Sequence, residues 1–176
     1  LGGGLWVRYI PEHDPIPVKD FIKILVDAVK KEFGEKNLPM PKLMVEPGRS
    51  IVGEAGTTVY KIGSITEVPG IRKYIAINGG MGDNIRPALY GSVYEAVVAN
   101  KMDKKPSEVV TVAGKCCETG DIIIKDIKLA EPNSGDVLAV FVTGAYNYSM
   151  ASNYNRLAVP GAVFVKDGKY EWIVKP

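Results

Sequence analysis

The sequence predicts an α/β segment followed by an all-β one: the end of a (β/α)8 barrel, then a β-rich domain of barrel or sandwich type. Three observations predict it. Residues 1–49 run from a glycine loop through an amphipathic stretch and an apolar run to a polar turn. From Gly56 the chain reads as short β-type segments separated by turn signals,. The rhythm changes within residues 50–57, so the expected division is 1–52 for the last part of a barrel and 53–176 for the β-domain.

Leu1-Gly2-Gly3-Gly4-Leu5 reads as a strand end passing into a loop. Three glycines let backbone N–H groups converge, which is one way to cradle a phosphate; a plain flexible turn is the other reading. The loop continues through Pro11, Pro15 and Pro17. Val18, Phe21, Ile22, Leu25, Val29 and Phe33 then recur at helical spacing, with Gly34 as a stop,. Leu43-Met44-Val45 reads as a short buried strand leading into Glu46-Pro47-Gly48-Arg49. Pro47 and Gly48 cannot continue a strand. An acid and a guanidinium therefore sit on a tight turn past a strand end, where parallel α/β folds bind ligands. A surface turn with an internal Glu46–Arg49 pair is the alternative.

After one helical turn at 50–55, the β segments are expected at 57–67, 73–77, 93–99, 109–113, 121–129, 137–142 and 162–174. Asp167-Gly168 divides the last into a hairpin,. Residues 144–155 break the rhythm and read as helical or irregular.

Composition narrows the function. A length of 176 residues can bury a real core,. A net charge of +2 without a Lys/Arg block gives no sign of a nucleic-acid surface, and no apolar run approaches a membrane span,. The chain opens at Leu1 inside a glycine run and reads as a fragment of a longer protein. Cys116 and Cys117 are adjacent and lack metal-ligand spacing, so no metal is expected and free thiols are,. His13 reads as a solvated loop residue.

Four polar clusters interrupt the core pattern: residues 46–49, 78–90, 117–121 and 144–155. Together with Gly2-Gly3-Gly4, the stretches Glu46-Pro47-Gly48-Arg49-Ser50-Ile51-Val52, Arg86-Pro87-Ala88-Leu89-Tyr90, Cys117-Glu118-Thr119-Gly120-Asp121, Gly144-Ala145-Tyr146 and Ser152-Asn153-Tyr154-Asn155 resemble the diaminopimelate decarboxylase family over essentially the whole chain. Two details depart from the family pattern: Lys115 and an extra Cys116 precede Cys117, and the glycine loop reads Asn78-Gly79-Gly80-Met81-Gly82-Asp83.

The resemblance implies a cytoplasmic lyase with the alanine racemase/ornithine decarboxylase-like fold. Such an enzyme uses pyridoxal 5′-phosphate to convert meso-2,6-diaminopimelate to L-lysine and CO2, the last step of lysine biosynthesis. It implies that Glu46 faces the pyridine nitrogen, and that Gly3, Gly4, Pro47, Gly48 and Arg49 surround the phosphate. Arg49, Arg86 and Tyr90 would hold the substrate's distal carboxylate and Glu118 its distal ammonium. Cys117 would be a proton donor, and Tyr146 would lie near cofactor and substrate. The 117–118 loop would reach the neighbouring subunit's site in a homodimer. The cofactor lysine belongs to earlier barrel strands, and no lysine here stands in that motif. Decarboxylases of the same fold acting on ornithine, arginine or carboxynorspermidine, and a non-catalytic dimerisation fragment, are the alternatives.

Overall fold

Six strands pair into one curled sheet in the computed structural model, which describes residue 2 and residues 4–175. They are β1 (Thr57–Val68), β2 (Arg72–Ile77), β3 (Ala96–Val98), β4 (Glu108–Ala113), β5 (Ile122–Leu129) and β6 (Val137–Phe141), in the order β3-β6-β1-β2-β4-β5. The longest strand, β1, serves two partners. Thr57–Lys61 pairs with β6, and the later part of the strand, from Ile62 to Val68, pairs with β2. Its register breaks between Ile62 and Ile65, around Gly63. A break of this kind bends a strand and raises its twist. The edge strands β3 and β5 approach each other, so the sheet is nearly closed.

Alternation decides what fills the interior. Tyr60 and Ile62 on β1 face Ile75 and Ile77 on β2 and Leu138 and Val140 on β6, all buried. Each such side chain contributes on the order of 1.5–3 kcal/mol by leaving water. All pairings are antiparallel except β2–β4, which is parallel. A parallel pair needs a long crossover. Here it is residues 78–107, which carry the glycine loop, the short helix α3 (Arg86–Tyr90) and β3. The position of α3 at the sheet's end is thus a consequence of topology.

Four expectations are corrected. Helix α1 (Val18–Glu35) runs through Gly34 and stops at Lys36. Strand β3 is shorter than residues 93–99. Leu43-Met44-Val45 forms no strand: the segment from Leu38 to Pro47 carries no regular element. Leu5, Val7 and Tyr9, read as loop, are buried in alternation and close one side of the core. Helix α2 (Gly48–Val52), helix α4 (Asn147–Met150) and the hairpin of β7 (Ala162–Lys166) and β8 (Lys169–Val174) complete the chain. Asp167 and Gly168 both take positive φ, as the two central residues of a type I′ turn do,.

Candidate active site

Two glycines bring α2 onto the 143–146 loop. Gly144 N–H donates to the Gly53 carbonyl at 3.0 Å, and Thr143 N–H donates to that of Gly56 at 3.0 Å. A Cβ on Gly144 would collide with the Val52 carbonyl, and one on Gly56 would collide with Gly144. The Thr58 and Thr143 hydroxyls close the contact at 2.9 Å. Arg49 of α2 consequently stands over the Tyr146 ring, 5.4 Å from its centroid. Tyr146 itself has φ of 71°, a strained conformation for a residue with a Cβ,.

Arg86 reaches the same ring. It opens α3, is only 7% exposed, and donates through Nε to the Tyr94 hydroxyl at 3.1 Å and through Nη2 to Ser92 Oγ at 3.3 Å. Its guanidinium lies 5.1 Å from the Tyr146 ring centroid and 5.5 Å from that of Tyr90. Among the described residues neither Arg49 nor Arg86 forms an ion pair, and the internal Glu46–Arg49 pair is not made. Arg49 Nε and the Tyr9 hydroxyl are buried without partners. Burial pushes the Tyr9 phenol up, and the charges of Arg86 and Arg49 offset this only in part. Two guanidinium groups over one ring, with an orphaned donor each of nitrogen and hydroxyl, make a site for an anion.

The space they face is a cleft of about 640 Å³, whose lining includes Trp6, Tyr9, His13, Arg49, Arg86, Tyr90 and Tyr146. A smaller hollow of about 30 Å³ adjoins it through Arg49 and Tyr146 and is otherwise lined by Gly4, Leu5, Glu46, Pro47 and Gly48. Gly48 N–H is already bonded to the Glu46 carbonyl at 2.9 Å, so that amide is not a free donor in the hollow. Thus Gly4, Glu46, Pro47, Gly48, Arg49, Arg86, Tyr90 and Tyr146, expected to cluster, line two adjoining spaces. Gly3 lies outside the described residues.

Cys117 and Glu118 line neither space. Both are exposed on the loop between β4 and β5. The two cysteines do not sit on a strand: β4 ends at Ala113 and residues 115–117 form a bend. What separates the thiols is environment. Burial, and then the Asp121 charge, push the half-buried Cys116 thiol up, while Cys117 is exposed.

Trp6, Tyr9 and His13 are among the cleft residues that were not foreseen. His13 is no solvated loop residue: its ring stacks on Trp6 at 5.0 Å, and its Nδ1 accepts the Tyr9 N–H at 3.4 Å. Tyr9 packs edge-on against Tyr94 at 5.5 Å. The alternation Leu5, Val7, Tyr9 was the available signal for an inward-facing Tyr9; nothing local marked His13.

A family model described as the pyridoxal-dependent decarboxylase, C-terminal sheet domain, matches residues 17–144. Over 175 residues the chain is 54% identical to a diaminopimelate decarboxylase of Bacillus methanolicus, covering 99% of this chain and 40% of that protein. A crystal structure of diaminopimelate decarboxylase from M. jannaschii superposes with a TM-score of 0.89 at 36% identity, covering 99% of this chain and 39% of that one. The same enzyme in co-complex with L-lysine gives 0.88 at 35%, with the same coverage. The chain belongs to the pyridoxal-dependent decarboxylase family, of which it carries the C-terminal sheet domain. It spans about two fifths of the length of the curated relatives it matches.

The residues present fit that family's cofactor. The orphaned Arg49 Nε suits its anionic end, and the Glu46 carboxylate, in no ion pair among the described residues, is available to a cationic ring nitrogen. Among the described residues no lysine lines either space.

Proposed function

We propose that the full-length protein is a diaminopimelate decarboxylase, releasing CO2 from meso-2,6-diaminopimelate to give L-lysine. One observation carries the reading. Arg49 and Arg86 converge on a cleft with no carboxylate of the described chain to neutralise them. A substrate with a second amino-acid end supplies that carboxylate; ornithine or arginine does not.

In this reading residues 1–52 are the last part of the cofactor-binding barrel and 53–176 the sheet domain with its active-site loops and dimer contacts. Pyridoxal 5′-phosphate supplies an electron sink for the charge left when CO2 departs. Glu46 would hold a proton on the ring nitrogen, and Gly3, Gly4, Pro47, Gly48 and Arg49 are the residues that would hold the phosphate. Arg86, through the two nitrogens not bound to Tyr94 and Ser92 in full, grips the distal carboxylate with Arg49 and the Tyr90 hydroxyl. Tyr146 keeps both guanidinium groups in place by offering them its ring face. Cys117 gives the proton that replaces CO2, and Glu118 binds the distal ammonium. Both are exposed and outside this chain's own cleft, which supports their service in a neighbouring subunit of a homodimer. The enzyme would work in the cytoplasm on a small amino acid.

The test is a substrate panel with the full-length protein loaded with cofactor: meso-diaminopimelate, ornithine, arginine and carboxynorspermidine. CO2 release with kcat/KM for meso-diaminopimelate at least a hundredfold above the others is expected. Equal or better turnover of a substrate without a distal carboxylate would sink the assignment.

A further inference from the structure

Asp121 is 3% exposed, yet it forms no ion pair among the described residues. Its carboxylate is committed to backbone. Oδ1 accepts the Met81 N–H at 2.6 Å, and Oδ2 accepts the Cys116 N–H at 2.7 Å. These two amides belong to different loops, one following β2 and one following β4. A third bond ties the same loops together, from Lys115 N–H to the Gly79 carbonyl at 3.1 Å. The backbone of Asp121 also closes its own loop: Gly114 N–H donates to its carbonyl at 2.8 Å, and its N–H donates to that of Glu118 at 3.0 Å.

The space for this carboxylate is made by glycine. A Cβ at Gly114 would collide with both Asp121 oxygens, and one at Gly80 would stand 2.5 Å from Oδ1. Gly80 moreover has φ of 155°. No longer acid fits the slot, and an amide cannot replace the carboxylate. Asparagine has one acceptor, so its NH2 would point at one of the two N–H groups, donor against donor.

The two loops so joined carry different parts of the site. The first runs directly into Arg86, and the second bears Cys117 and Glu118. We propose that Asp121 is a positioning residue that locks these loops to each other, so that the Cys117–Glu118 segment is aimed by the same carboxylate that fixes the approach to Arg86. This rests on the reading of Cys117 and Glu118 as functional groups; the locking of the two loops does not.

The experiment uses the full-length holoenzyme and Asp121→Asn. Hydrogen exchange should rise at least tenfold together in peptides spanning 79–84 and 114–120, with those of β1 and β6 unchanged. Asp121→Asn should lower kcat/KM at least tenfold in the parent, but should lower the residual activity less than threefold in a Cys117→Ala/Glu118→Gln background, because a misaimed loop then has nothing further to lose. General destabilisation would multiply with the double variant instead. Exchange rising in one loop only, or in neither, overturns the proposal, as does full multiplication of the two effects. Should Asp121→Asn not fold, Asp121→Ser, which retains an acceptor oxygen, takes its place in both measurements. If Glu118→Gln and Cys117→Ala leave kinetics within twofold, the functional reading of that loop fails, and the exchange data judge the lock alone.

Discussion

Arg86 Nε donates to the Tyr94 hydroxyl at 3.1 Å, and the Tyr94 ring packs edge-on against Tyr9. The tyrosine takes one edge of the guanidinium and leaves the rest toward the cleft. Arg86→Ala in the full-length enzyme is therefore expected to raise KM for a dicarboxylate substrate by about 10- to 100-fold. That corresponds to about 1.5–3 kcal/mol for a lost charge-assisted bond. Tyr94→Phe, which removes the acceptor behind Arg86 and the long hydroxyl bonds to Asn84 and Asn147, should produce a smaller rise. Steady-state kinetics check both; an Arg86→Ala enzyme within twofold of the parent would remove Arg86 from the site.

The adjacent thiols should behave differently. Burial and the nearby Asp121 charge push the Cys116 thiol up, whereas Cys117 is exposed, and the thiolate is the reacting species,. Iodoacetamide near pH 8 is expected to modify Cys117 on the order of tenfold faster than Cys116, read by peptide mass spectrometry. Cys117→Ala should nearly abolish decarboxylation while cofactor absorbance survives, and Cys116→Ala should not. Faster labelling of Cys116 would reverse the assignment of the two residues.

Much of the sheet was legible because its strands follow alternation, as in Tyr60 and Ile62 or Leu138 and Val140, and because Asp167-Gly168 suits only one kind of turn. Leu43-Met44-Val45 misled because three apolar residues do not by themselves decide between a strand and irregular chain. The arginine pair was legible as two motifs but not as a pair. Their meeting over Tyr146 depends on the contact of Gly56 with Gly144, and nothing local announces a contact between residues so far apart in the chain. The same reason hid Asp121. It reads as the end of a polar cluster and the start of a β segment, and only the fold brings Met81 to it.

Stability should depend on pH through Asp136. Burial alone would push this carboxyl up. Lys101 Nζ at 2.6 Å, Asn100 Nδ2 at 2.8 Å and Asn133 N–H at 2.7 Å outweigh burial and hold it below the usual carboxylate range. A depressed folded-state pKa means that the stabilisation is complete above the unfolded value of about 4 and is lost as pH falls through the folded one. Asp136→Asn is expected to cost on the order of 1–3 kcal/mol at pH 7. The gap from the parent should narrow steadily below about pH 4. Urea melts between pH 2.5 and 7 measure this; a gap that does not change with pH would contradict it.

These 176 residues by themselves should not take up pyridoxal phosphate covalently. A covalent link needs an amine freed of its proton by desolvation or by a neighbouring cation. Lys19, Lys23, Lys30 and Lys31 lie on the exposed face of α1, and Lys166 and Lys169 flank the hairpin turn in water. The two less exposed lysines are already paired, Lys73 with Glu108 at 3.0 Å and Lys101 with Asp136 at 2.6 Å. The Glu108 bond raises the Lys73 ammonium further, which is the wrong direction for a nucleophile. Helix α1 also has no buried residue, although its sequence is amphipathic, so Val18–Glu35 should be held loosely when the chain is expressed alone,. Mixing the purified 176-residue chain with pyridoxal phosphate, reducing with borohydride and weighing the product should give no single stoichiometric adduct, and meso-diaminopimelate should release no CO2. One adduct at one lysine, with turnover, would mean that the cofactor lysine lies within this chain.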